Sequence, residues 1–201
     1  MRRILTGVVA ASLMLVGIAG PATARAPQAA PAPSSDSIAE LADGSLLGAA
    51  LDYAGLTGVF EGGDQYTVFA PSDDAFVGLL GVLDPLLDDS IENPFERIDA
   101  AFDGAPVVQQ VLLYHVTEGR RAANSVVPPR GERTITTLRG DTFTVGSDLK
   151  ITDGAAAVFG PANIGPANTS ASNGIVHGID RVLLPADIAA AALAALGAAA
   201  E

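Results

Sequence analysis

The spacing of apolar residues changes once along this chain, and that change limits the folds open to it. From Ile38 to Val116 the large apolar residues mostly recur at three- to five-residue steps, the repeat that puts a stripe on one side of a helix. Beyond Pro128-Pro129 they alternate with polar residues in Thr134-Ile135-Thr136, Thr142-Phe143-Thr144-Val145 and Lys150-Ile151-Thr152, the period of half-buried strands. Helices followed by a run of strands predict an α+β fold around an antiparallel sheet system. Hydrophobic residues make up 49 % of the 201 and charged residues 17 %, a balance that excludes intrinsic disorder and suits one folded core.

Composition also narrows the chemistry. With no cysteine there is no disulfide, thiolate nucleophile or Cys-ligated metal. The two histidines, His115 and His177, are too few for a multi-histidine metal centre. A formal charge of −12 repels nucleic acid and anionic membrane surfaces. Neither cofactor nor metal is expected, because no ligand set or glycine-rich phosphate loop stands out.

Four segments follow from composition. Arg2 and Arg3, the apolar run Ile4 to Gly20 and the small residues Pro21-Ala22-Thr23-Ala24 form the three-part pattern of a signal peptide, predicting cleavage after Ala24 and a periplasmic or extracellular location. Residues 25–36 are rich in Ala, Pro and Ser and read as an extended linker. Residues 37–185 form the folded domain. The Ala-rich stretch 186–201, whose large apolar residues are Ile188, Leu193 and Leu196, reads as a helix or tail too short to span a bilayer.

Within the domain, Asp36 to Gly63 predicts two short helices and Tyr66 to Ala70 a strand. Ser72 sits where a helix N-cap belongs, with Asp73 and Asp74 in the first turn near the positive end of the dipole. A helix follows through Phe76, Leu79, Leu80 and Leu83, and another over Val107 to Tyr114 that carries Val116 at core spacing and ends near Gly119. Ile175-Val176 and Val182-Leu183-Leu184 predict two further short strands. Gly160 to Thr169 reads as a loop with a local duplication.

Three segments together resemble the fasciclin domain: Thr67-Val-Phe-Ala-Pro-Ser-Asp-Asp-Ala-Phe76 is similar to its first signature box, Leu113-Tyr114-His115-Val116 to its tyrosine–histidine motif, and Ala171 to Pro185 to its second box. The resemblance spans about Ser37 to Pro185. It implies a β-wedge flanked by helices, used in cell adhesion or extracellular matrix and surface interaction without catalysis. Ser72, Asp73, Asp74, Tyr114, His115, Asn173, Gly174 and His177 carry these motifs. The partner it implies is an extracellular protein or polysaccharide surface.

His115, beside Tyr114 at the end of an apolar helix, is expected to meet Asp73 or Asp74 in a buried hydrogen-bonded network that pins helix to sheet. A Ser72–His115–Asp hydrolase triad is the competing reading; it lacks nucleophile-elbow glycines and an evident oxyanion hole. His177 is expected to serve sheet packing rather than ligate a metal. Arg139-Gly140-Asp141 spells an integrin-recognition tripeptide, but a glycine is what a tight turn at that place needs.

The stretch from Phe76 to Tyr114 looks longer than usual for the family, and its extra apolar residues raise an alternative function. Leu79, Leu83, Leu86, Leu87, Phe95 and Phe102 could line a groove for a hydrophobic small ligand such as a carotenoid or lipid, making the protein a soluble carrier. Core filling is the plainer reading of the same residues.

Overall fold

Polar side chains cap four of the described helices. In the computed structural model, which describes residues 34–199, Ser37 opens α1 (Ile38–Ala42) with a reciprocal capping box to Glu40, and Ser45 caps α2 (Leu46–Tyr53). The expected leader and residues 25–33 of the linker lie outside the described residues. A third helix, α3 (Thr57–Glu61), follows Gly55, so this stretch holds three helices rather than two. Gly55 takes a φ of 67° and the Leu56 amide donates to the Leu51 carbonyl, which stops α2. The single turn of α3 is held by burial of Phe60, not by any run of periodic residues.

Strand β1 (Tyr66–Pro71) hands over to α4 (Asp73–Leu83), where the Ser72 hydroxyl accepts from the Ala75 amide at 3.2 Å. A 3-10 turn (Asp84–Leu86), α5 (Pro94–Ala101, capped by Asn93) and α6 (Val107–Tyr114) complete the helical half. Next come β2 (Val116–Glu118), α7 (Ala123–Val126), β3 (Glu132–Thr136), β4 (Thr142–Gly146), β5 (Lys150–Thr152) and α8 (Ala156–Phe159). The chain then forms β6 (Ala162–Asn163), β7 (Thr169–Ala171), β8 (Gly174–Ile179) and α9 (Ala186–Ala199). No described helix is long and apolar enough to cross a membrane.

Two four-stranded sheets result, ordered β2-β1-β8-β7 and β3-β4-β5-β6, with a bridge from Ile164 to Ile179 between them. All pairings are antiparallel except β1 with β8, which run parallel and in register from Tyr66↔Gly174 to Pro71↔Ile179. Period-two spacing locates the strands of the second sheet, where Ile135, Phe143, Val145 and Ile151 all point to one buried face. The expected α+β architecture therefore stands.

Two local expectations are corrected. Val116 begins β2, pairing with Val68, because the α6 backbone ends at His115 and the chain reverses there. Val182-Leu183-Leu184 forms no strand: the amides of Leu183 and Leu184 donate to side chains, His115 and Asp153, instead of to a neighbouring strand. The Gly160 to Thr169 loop also contributes β6 and the start of β7.

The first sheet separates two cores. One gathers Ile38, Leu51, Phe60, Val68, Phe76, Phe95, Val108, Leu112 and neighbours among the helices; the other lies between the sheets around Phe69, Tyr114, Ile135, Phe143, Ile151, Ile179 and Leu183. Gly174 lets the β1–β8 pair begin. A Cβ there would sit 2.1 Å from the Tyr66 carbonyl oxygen and 2.8 Å from Ile38 Cδ1. Gly174→Ala is expected to cost about 3 kcal/mol or more, because backbone has to move; a chemical-denaturation midpoint equal to wild type would contradict this packing.

Candidate functional site

The motif residues converge on the sheet that divides the two cores. Tyr114, 1 % exposed, reaches from the end of α6 into the inter-sheet core, donates its hydroxyl to the Thr142 carbonyl at 3.1 Å and meets Phe143 edge-on. Burial pushes its phenol up to about 12. Next to it, His115 turns the other way. Its Nδ1 donates to the Val111 carbonyl at 2.7 Å, and its Nε2 accepts the Leu183 amide at 2.8 Å. That pair of bonds requires the neutral Nδ1–H tautomer.

His177 shows the reverse arrangement on β8. Its Nε2 donates to the Arg121 carbonyl at 3.0 Å and its Nδ1 accepts the Asn168 amide at 3.2 Å, with Phe69 of β1 alongside at a ring separation of 5.6 Å. Each imidazole thus joins segments distant in sequence, one ring tying α6 to the Leu183 segment and the other tying β8 to the chain after β2. Desolvation lowers both histidines, His115 to about 4.

The expected contact of His115 with Asp73 or Asp74 does not form, because backbone groups take both ring nitrogens. Asp73 accepts the Leu46 amide at 2.9 Å, linking the start of α4 to the start of α2, and Asp74 lies exposed on the rim of a shallow groove. Asn173 ties α1 and α3 to the second box: its Oδ1 accepts the Ile38 amide at 2.8 Å and its Nδ2 donates to the Phe60 carbonyl.

Sequence reasoning missed Asp153. Its carboxylate is fully buried, accepts Arg181 at 2.6 Å and takes the Leu184 amide at 2.8 Å. His115 and Asp153 therefore bind two consecutive amides and hold the Val182–Pro185 strap without a sheet partner. Before Gly154, Asp153 has the sequence context of an ordinary turn residue, and its partner Arg181 lies 28 residues further along the chain.

Chemically, this arrangement is structural. The Ser72 hydroxyl serves as a helix cap, and the one histidine in the tyrosine–histidine motif has both nitrogens engaged by backbone. Among the described residues, no group of three His, Cys, Asp or Glu side chains is placed to hold a metal ion.

The anticipated ligand groove is largely filled by the protein itself. Leu79, Leu83, Phe95 and Phe102 do face one apolar cavity, together with Val108, Ile188 and others, but it measures only about 30 Å³. That is room for a water or two, not for a carotenoid or lipid. Leu86 and Leu87 are not part of its lining and pack on the surrounding core. Arg139 in the integrin-like tripeptide pairs with Asp141 and with Asp187 of α9 and donates to Gln110 at 3.1 Å, while Gly140 adopts a φ of 99°. The turn thus has its own structural use for both residues.

Fold and motif placement define a β-wedge whose signature side chains are committed to holding it together. The chain belongs to the fasciclin family: a fasciclin-domain profile matches residues 43–185. It is 34 % identical over 157 residues to protein sll1483 of Synechocystis, covering 76 % of this chain and 75 % of that one. It is 32 % identical to the immunogenic protein MPB70 of Mycobacterium bovis, over 60 % of this chain and 50 % of the relative. A solved FAS1 domain pair from the insect cell adhesion molecule fasciclin I aligns with a TM-score of 0.38 and 18 % identity, over 68 % of this chain and 40 % of that one.

Neutral burial of His115 has a sign that can be tested. The folded value near 4 lies below the unfolded 6.5, so the unfolded chain binds the extra proton first; its contribution is complete above 6.5 and declines as pH falls toward 4. Urea titrations are expected to show a loss on the order of 3 kcal/mol between about pH 7 and pH 4 from this group, with His177 adding in the same direction. His115→Gln should flatten that slope; an unchanged slope would remove His115 as its source.

Proposed function

We propose that this protein is a non-catalytic, exported interaction module that engages a protein or polysaccharide surface outside the cell. The observation that carries the reading is the commitment of Ser72, His115 and His177 to backbone hydrogen bonds, which leaves no free nucleophile–base pair among the motif residues. Membership of the fasciclin family supports a binding role, and the leader pattern in residues 1–24 supports export. The net charge of −12 favours partners that are neutral or cationic, not nucleic acid.

Attachment of cells lacking the gene to a protein- or polysaccharide-coated surface is expected to fall and to recover on complementation. Equal attachment with and without the gene would count against the module. Asp141→Glu in the complementing copy is expected to leave attachment intact, because Arg139 is held by Asp187 and Asp141; a drop would promote the tripeptide to a recognition element.

Ser72→Ala should lower stability by about 1 kcal/mol through the lost cap, with no ester hydrolysis to lose. Activity in the wild-type protein that disappears in a still-folded Ser72→Ala variant would overturn the non-catalytic reading.

A further inference from the structure

The helical core has an apolar groove that the chain covers with its own C-terminal helix. Phe76, Leu83, Phe95, Phe102, Val108 and Leu184 line it from α4, α5, α6 and the strap, and the cavity wall offers no polar surface. The covering helix α9 starts at Ala186, just beyond the residues that match the family. It inserts Ile188 and Ala192 over the groove and buries Ala189 beside them. Alanine presents a single methyl, and the cavity of about 30 Å³ remains beneath it.

The segment that borders this groove on the side of α5 is strongly acidic. Asp84, Asp88, Asp89, Glu92, Glu96 and Asp103 are exposed on the segment that carries the 3-10 turn and α5, and the turn packs directly against α9. Arg97 is the one base between residues 84 and 103, and it pairs with Asp89. Past Asp187, α9 has no charged residue through Ala199, so it offers these carboxylates no basic partner. Its root is tied down by the Asp187–Arg139 pair and by the amides held by His115 and Asp153, whereas its body is held by a few small apolar contacts.

We propose that the groove beneath α9 is the docking site for a cationic amphipathic helix of a partner protein, and that α9 is its resident, displaceable occupant. A larger aliphatic side chain at the Ala192 position would fill the groove better than α9 does, and lysines or arginines on the other face would meet the acidic rim. The proposal rests on reading the chain as an interaction module and assigns that module a docking face.

Fluorescence anisotropy on the full-length protein tests it with a labelled synthetic helix of roughly 18 residues, leucines along one face and lysines along the other. Matched peptides carry glutamate for lysine or a scrambled order. Ile188→Asp, which puts a carboxylate into the apolar groove and loosens α9, is expected to bind the lysine peptide at least about tenfold more tightly than wild type. Asp187→Asn, which cuts the surface tie to Arg139 without touching the core, should shift binding in the same direction by a smaller factor. Ala192→Val, which fills the cavity and seats α9, should weaken it.

Salt at about 0.5 M should reduce the affinity, and the glutamate and scrambled peptides should not bind. Equal binding of the scrambled peptide would overturn the proposal. So would no binding to Ile188→Asp or Asp187→Asn when limited proteolysis shows α9 released. If those results stand while the attachment assay still depends on the protein, the docking face is wrong and the module reading survives.

Discussion

Everything in this structure hangs on the parallel, in-register pairing of β1 with β8. Six residue pairs join a strand near the start of the domain to one near its end, and one face of the pair supplies Phe69, His177 and Ile179 to the space between the sheets while the other gives Val68 and Val176 to the helices. Parallel strands cannot be joined by a tight turn. The intervening chain must therefore be built as a covering layer, and it is: five α-helices, the 3-10 turn and a second sheet lie between β1 and its partner. Closure is local at Gly174, where the Tyr66 carbonyl comes too close for any side chain.

The histidines explain why such a long-range closure stays closed. Each is neutral, buried and bonded through both nitrogens to backbone that no neighbouring strand satisfies. A buried amide without an acceptor costs about as much as a lost hydrogen bond or more. The Leu183 and Leu184 amides would face that cost if His115 or Asp153 were removed. The Asp153–Arg181 pair is sheltered, and breaking one partner would leave the other charge poorly solvated. These side chains act as connectors between cores, which is why motif residues that look catalytic on paper are spent on architecture.

A shared scaffold held this way leaves variation to the segments laid over it. The acidic stretch around the 3-10 turn and α5, and the alanine-rich α9 that covers the neighbouring apolar groove, both lie against the helical core, and of the histidine connectors His115 lines the cavity beneath α9. At the turn carrying Arg139, Gly140 and Asp141 the arginine is already engaged.

What was legible in the sequence was whatever depends on neighbours along the chain. The Ser72 cap, the Val107–Tyr114 helix and the alternating strands over 132–152 were readable because capping and periodicity act within a few residues. The motif order along the chain was enough to point to the family. Tertiary structure alone decided that Val182–Leu184 runs as a strap, that Asp153 anchors it, that His115 bonds Leu183 and not Asp73, and that α9 closes the expected groove. Those outcomes turn on which donor meets which acceptor across roughly thirty to seventy residues of intervening chain, and spacing carries no information about partners that only folding brings within 3 Å.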